Sequence, residues 1–235
     1  MSPKFDLAKT QELADLFAVP RESRDSHWQG RFLAAVPEAS LASRDPQGFQ
    51  GPDRFPYFFL AMPQPLQNFT PFCITHILDH CLKTGLGVAV FSDPAKNPEW
   101  VFSYGDLSSY KLYGAFMGDP ADEKPEAQVE FKETVQEARR VLTGAPAPGY
   151  FLQETRPILR QFLKAQGIKQ PAVALLMDPS LKPSRNLVFN VFKDDFQSED
   201  HYRNVLGGLA WFFPRGRGIV GLERSAVKDW KFDPL

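Results

Sequence analysis

The chain has 235 residues, 43% of them hydrophobic and 23% charged, with a formal net charge of −1 and a pI of about 6.4; this is the mixture of a globular protein able to bury a core. The balance excludes the basic excess by which nucleic-acid binders neutralise phosphate, and it gives no electrostatic reason to visit an anionic membrane. Twenty-one phenylalanines imply cores or grooves built from rings, and twenty-one prolines imply stiff connections.

The opening Met-Ser-Pro-Lys-Phe-Asp lacks the apolar run of a signal peptide. Residues Phe5 to Phe17 read as a helix with Asp6 as N-cap, an apolar face of Leu13, Leu16 and Phe17, and Pro20 beyond its end. A second helix includes Trp28, Phe32 and Ala35. Ser40 to Asp53, with Pro46, Gly48, Gly51 and Pro52, has the composition of a loop. Phe55 to Met62 is aromatic-rich and reads as a strand. Phe55 to Leu78 carries no Asp, Glu, Lys or Arg, yet Pro56, Pro63, Pro65 and Pro71 exclude a membrane-spanning helix there.

Pro71 to Lys83 is expected to form a helix, with Thr70 as N-cap, Pro71 at the first position and Gly85 past the end. Cys73 and Cys81, the only cysteines, fall two turns apart in it, roughly 12 Å between Cα atoms and too far to bond. Two thiols that cannot pair fit a reducing compartment, so the expected location is the cytoplasm. Gly87 to Ser92 and Trp100 to Tyr104 read as strands joined by a turn that Asp93-Pro94 opens, and a short helix after Asp106 carries Tyr110 and Tyr113.

Gly118 to Pro125 is an acidic connection. Phe131, Val135, Ala138 and Leu142 follow helical spacing, and Gly144 to Gly149 is a second breaker cluster. Beyond it, Ile158, Leu159, Phe162 and Leu163 line a helix that Gly167 closes. Ala172 to Met177 and Asn186 to Phe192 read as strands. Ser198 caps a helix whose apolar stripe is Tyr202, Val205, Leu206, Leu209 and Phe213, with Pro214 as its stop, and Gly218 to Leu222 reads as a last short strand. The expected organisation is an N-terminal α/β unit with a helical extension over 1–120, a connecting helix and Pro/Gly-rich linker over 121–149, and a C-terminal α/β unit over 150–235.

An internal echo organises this reading. Val88-Ala89-Val90-Phe91-Ser92-Asp93-Pro94 matches Val173-Ala174-Leu175-Leu176-Met177-Asp178-Pro179 without a gap. Upstream, Ile77-Leu78 and Leu82-Lys83 echo Ile158-Leu159 and Leu163-Lys164; downstream, Val101-Phe102 echoes Val188-Phe189. The expected fold class is therefore α/β (α+β): two related helix–strand–turn–strand–helix units, with helices packed on mixed sheets.

Gly144-Ala145-Pro146, the helix through Leu159 to Leu163, Val173-Ala174-Leu175-Leu176, Leu187-Val188-Phe189 and the helix from Ser198 together resemble the C-terminal domain of SseB-type bacterial proteins, named for enhanced serine sensitivity. The resemblance covers about the last ninety residues, with a fainter echo around Val88 to Asp106. It implies a two-part cytoplasmic α/β protein and carries over no site residues.

Three sets of residues carry candidate chemistry. His76 and His80, at i and i+4, look like an inverted zinc-peptidase motif with Asp79 in place of glutamate, and Cys73 one turn earlier is a third candidate metal ligand. Against this, Ile74, Ile77, Leu78 and Cys81 define an apolar face that the histidines merely border. Arg215 and Arg217, in Trp-Phe-Phe-Pro-Arg-Gly-Arg-Gly, mix guanidinium groups with rings as base-stacking and phosphate-gripping segments do, although a helix end and a turn account for the same letters. Trp28, Trp100, Tyr110, Tyr113 and Trp230 are candidate contact residues, since interface cores are rich in aromatic side chains. Gly216 to Gly221 spells a dinucleotide fingerprint in the wrong context, between a helix and a strand.

Asp93 and Asp178 are expected to open turns rather than to form a paired-carboxylate site, and Lys193-Asp194-Asp195 is read as a solvated cluster. No phosphate loop, nucleophile elbow or Cys-x-x-Cys is present in the sequence. The leading expectation is a non-enzymatic module that binds a protein partner or oligomerises, with no cofactor. A metal-dependent enzyme at Cys73, His76 and His80 is the first rival, and nucleic-acid or phosphate binding through Arg215 and Arg217 the second.

Overall fold

The computed structural model describes residues 6–64, 68–117, 132–136, 139–147, 150 and 152–235. The fold is α/β, and the chain divides into two compact units, Met1–Leu107 and Ser108–Leu235. Among the described residues no helix is long and apolar enough to cross a membrane.

The first unit begins with α1 (Leu7–Ala18), where Asp6 accepts from the backbone N–H groups of Ala8 and Lys9, and α2 (Ser26–Ala35), capped by Asp25. Both caps satisfy N–H groups that have no partner inside the helix. The strands are β1 (Leu41–Ala42), β2 (Gly48–Gln50), β3 (Pro56–Ala61), β4 (Pro71–Phe72), β5 (Gly87–Phe91) and β6 (Trp100–Phe102). They form one sheet in the order β4-β1-β3-β5-β6, with β2 also on β3. The β3–β5 pair is parallel and the others antiparallel, so the sheet is mixed. The crossover between β3 and β5 contains α3 (Ile74–Thr84), as a parallel connection requires. Gly85 ends that helix at φ +77°, a conformation glycine adopts without a Cβ penalty.

Two expectations fail in this unit. Ser40 to Asp53 is not all loop, because β1 and β2 lie within it and pair with β3. The helix expected from Pro71 starts only at Ile74. Pro71 and Phe72 are extended and pair with Ala42 and Leu41, so Cys73 occupies the cap position in place of Thr70. A proline tolerated at a helix start is equally tolerated on an edge strand, where its missing N–H is not needed. Cys73 and Cys81 therefore do not share one helix; both are free and buried.

α4 (Tyr104–Tyr113) crosses the boundary between the units. The second unit contains β7 (Lys132–Gln136), β8 (Arg139–Gly144), α5 (Thr155–Ala165), β9 (Ala172–Met177), β10 (Arg185–Phe189), α6 (Glu199–Ala210), β11 (Gly218–Ile219) and β12 (Asp233–Pro234). Their sheet runs β11-β10-β9-β8-β7, with β12 beside the first residues of β9 and β8 beside its last. The helical spacing read through Phe131, Val135, Ala138 and Leu142 is overturned where residues are described: Lys132–Gln136 and Arg139–Gly144 are paired antiparallel strands, Lys132 opposite Thr143 and Gln136 opposite Arg139, while Phe131 and Ala138 lie outside the described residues. Pairing with β9 decides the matter, since it supplies backbone partners that a one-dimensional period cannot register. The acidic connection Gly118 to Pro125 lies outside the described residues.

The two hairpins of the echo have matching registers. Ala89 stands opposite Val101 and Val88 opposite Phe102; Ala174 stands opposite Val188 and Val173 opposite Phe189. Each turn is opened by an aspartate whose Oδ1 accepts from the N–H two residues on, at 2.9 Å from Ala95 to Asp93 and 2.8 Å from Ser180 to Asp178. Their surroundings differ, because β5 has the parallel strand β3 on its other edge and β9 has the antiparallel strands β8 and β12.

Candidate functional site

The tryptophans anticipated as contact residues meet in the first unit. Trp28, on α2, stacks on Phe32 at 5.2 Å between ring centroids and donates from Nε1 to the Leu16 carbonyl at 2.9 Å. Trp100, at the start of β6, lies 5.1 Å from Phe32 and 6.2 Å from Trp28. Phe32 also stacks on Phe102 at 6.2 Å, so helix and sheet share one ring cluster. The Trp100 indole N–H is buried with no acceptor among the described residues.

Charged groups close this cluster on one side. Arg24, between the first two helices, donates from Nε to Val19 O (3.0 Å), from Nη2 to Phe17 O (3.3 Å) and from Nη1 to Glu99 Oε2 (2.8 Å). Its guanidinium also lies over the Trp28 ring at 4.6 Å. Glu99 accepts from Ser92 Oγ at 2.6 Å on its other oxygen. The side chains of this ion pair retain only 11% and 9% exposure. Burial is the largest influence on Glu99 and pushes its pKa up, but the bonds from Ser92 and Arg24 and the charges of Arg24 and Arg21 outweigh it. The carboxyl therefore sits below its ordinary 4.5 and stays ionised. Asp25 is also held below its usual value, chiefly by the N–H of Trp28 that it caps at 2.8 Å.

Arg21, Arg24, Asp25, Ser26, Trp28, Gln29, Glu99 and Trp100 line an open cavity of about 370 Å³. A second cavity of about 490 Å³ shares Arg21 and Glu99 and adds Ala95, Lys96 and Asn97 from the Asp93 turn. Both lie wholly within the first unit. Sequence reasoning found Trp28 and Trp100 but missed Arg21, Arg24 and Glu99. No local pattern marks them, because their association joins positions some 75 residues apart. The available signal was slight: a charged residue directly after a proline, in Pro20-Arg21 and in Pro98-Glu99.

The remaining candidates are scattered. Tyr110 stacks on Phe116 at 4.6 Å. Tyr113 is exposed and accepts from Arg217 Nη2 at 2.6 Å, while the Arg217 guanidinium covers the Tyr150 ring at 3.8 Å. These contacts engage Arg217 inside its own unit; Arg215 is exposed. Trp230 belongs to the core of the second unit, with Val141, Ala174, Leu176, Val188, Phe192 and Val227.

The metal-ligand set is not assembled. His76 and His80 are exposed on α3, whereas Cys73 is fully buried with its sulfur 3.2 Å from Thr75 Oγ1. The physical reason is the later helix start, which removes Cys73 from the helix face. Among the described residues no group of three or more His, Cys, Asp or Glu is placed to hold a metal ion. Asp195 accepts from Phe192 N and Arg224 Nη2, so the Lys193-Asp194-Asp195 cluster closes a turn.

No protein-family model, curated protein or solved structure matches the chain.

Proposed function

We propose that the protein is a protein-binding module that engages its partner through the Arg21–Trp28–Glu99–Trp100 cleft of the first unit. The observation that carries this reading is the cleft's composition. Tryptophan and arginine are the residues that most often dominate binding energy at interfaces, and here two of each line one concave site. The buried Arg24–Glu99 pair keeps the walls in place before any partner arrives, which lowers the ordering cost of binding.

The same reading includes a cytoplasmic, reducing setting, supported by two buried thiols that remain free. It also includes the two-part α/β organisation that the SseB-type resemblance implies, and one scaffold used twice, supported by the equal registers of the two hairpins.

Selection of random displayed peptides on the immobilised full chain tests the proposal, with Ser26→Trp as counter-target. Ser26 is exposed at the cleft wall, and an indole there fills the cavity. Peptides that bind the native chain and are lost on Ser26→Trp support the module. Light scattering over a concentration range separates a foreign partner from a second copy. A strict monomer that selects no cleft-dependent peptide overturns the reading.

A further inference from the structure

The partner's chemistry follows from which charges at the cleft are already committed. Arg24 uses Nε and both Nη groups on two carbonyls and Glu99. Glu99 in turn has one oxygen on Ser92 and the other on Arg24. Asp25 accepts the first-turn N–H of Trp28 and neutralises the positive end of α2. These three groups are internally balanced.

Arg21 differs. Its side chain is 59% exposed, and only Nη2 is engaged, at 3.1 Å to Pro98 O and at 3.4 Å to Glu99. Its Nε and Nη1 have no partner among the described residues. Lys96, on the wall of the second cavity, is 70% exposed and stands 3.7 Å from Asp93, a loose contact that solvent screens. Arg21, shared by the two cavities, and Lys96, in the second, are thus two cations that retain N–H groups for a ligand, and Arg21 lines the first cavity together with the half-buried Trp100 ring.

We infer that the cleft recognises an acidic side chain of its partner, the carboxylate accepting a charge-assisted hydrogen bond from Arg21 and attended by Lys96, with an adjacent apolar side chain against Trp100. This rests on the protein-binding reading above. A guanidinium N–H left open donates a short, charge-assisted hydrogen bond to a carboxylate, and an ammonium nearby adds attraction without fixing orientation.

Fluorescence anisotropy of the full chain with three short dye-labelled peptides tests the inference: alternating Glu and Leu, alternating Gln and Leu, and alternating Lys and Leu. The Glu peptide is expected to bind about tenfold tighter than either counterpart, and to weaken as sodium chloride is raised. Arg21→Gln is expected to remove about that tenfold, Lys96→Gln about twofold, and Arg31→Gln, on the exposed side of α2, nothing. Equal binding of the Glu peptide to the native chain and to Arg21→Gln overturns the inference. So does preference for the Gln or Lys peptide, or no binding at all. Cleft-dependent peptides without acidic residues in the displayed selection overturn it while leaving the module intact; failure of both experiments removes both.

Discussion

Glu99→Gln isolates the group on which the cleft wall depends. The substitution keeps size and leaves an oxygen for Ser92, but it turns an amide N–H toward Arg24 and leaves that guanidinium charged at 11% exposure. Removing one partner of a fully buried pair costs about 3–5 kcal/mol. Arg24 retains Val19 O, Phe17 O and the Trp28 ring, so the expected loss is that of one charge-assisted hydrogen bond, about 2–3 kcal/mol at neutral pH. The pH dependence has a definite sign. Because Glu99 is depressed below 4.5 in the folded chain, its stabilisation is complete above that value and lost as pH falls through the folded pKa. Native and Glu99→Gln chains should therefore differ fully at neutral pH and converge in strong acid. Urea unfolding followed by tryptophan fluorescence measures this, with an unchanged dependence on denaturant. A difference below about 0.5 kcal/mol at neutral pH, or one that persists unchanged in acid, refutes the reasoning.

Phe32→Ala should cost about 3–5 kcal/mol by calorimetry or denaturant unfolding, because its ring is fully buried and touches Trp28, Trp100 and Phe102; a loss under about 1 kcal/mol would mean the cluster does not hold α2 to the sheet. Burial pushes the Cys81 thiol up to about 12, and Cys73 is fully enclosed, so a thiol reagent at mildly alkaline pH should label neither in the native chain and both in urea. Rapid native labelling would contradict that burial. Gly87→Ala should destabilise by at least about 2 kcal/mol, since a Cβ there would stand 2.5 Å from the Phe102 carbonyl and 2.7 Å from the Tyr57 ring. Normal stability of that variant would show that β5 and β6 can separate without penalty.

Local chemistry was legible wherever it acts within a few residues. The caps at Asp6 and Ser198, the aspartate-opened turns, the closing Gly85 and Gly167, and the strand Ala172–Met177 each depend on near neighbours, and the structure forms them as read. In each hairpin the apolar residues stand opposite one another, because a side-chain period of two residues fixes which face of the sheet each takes.

What tertiary structure decided is of another kind. Pro71-Phe72 is a strand because Leu41-Ala42 lies beside it, and residues 139–144 are a strand because β9 offers its edge. The cleft exists because Arg21 and Arg24 meet Glu99 across most of the first unit's length. Such contacts leave no periodic trace: each partner looks like an ordinary charged residue until the fold removes water from between them, and only then does their pairing acquire its strength.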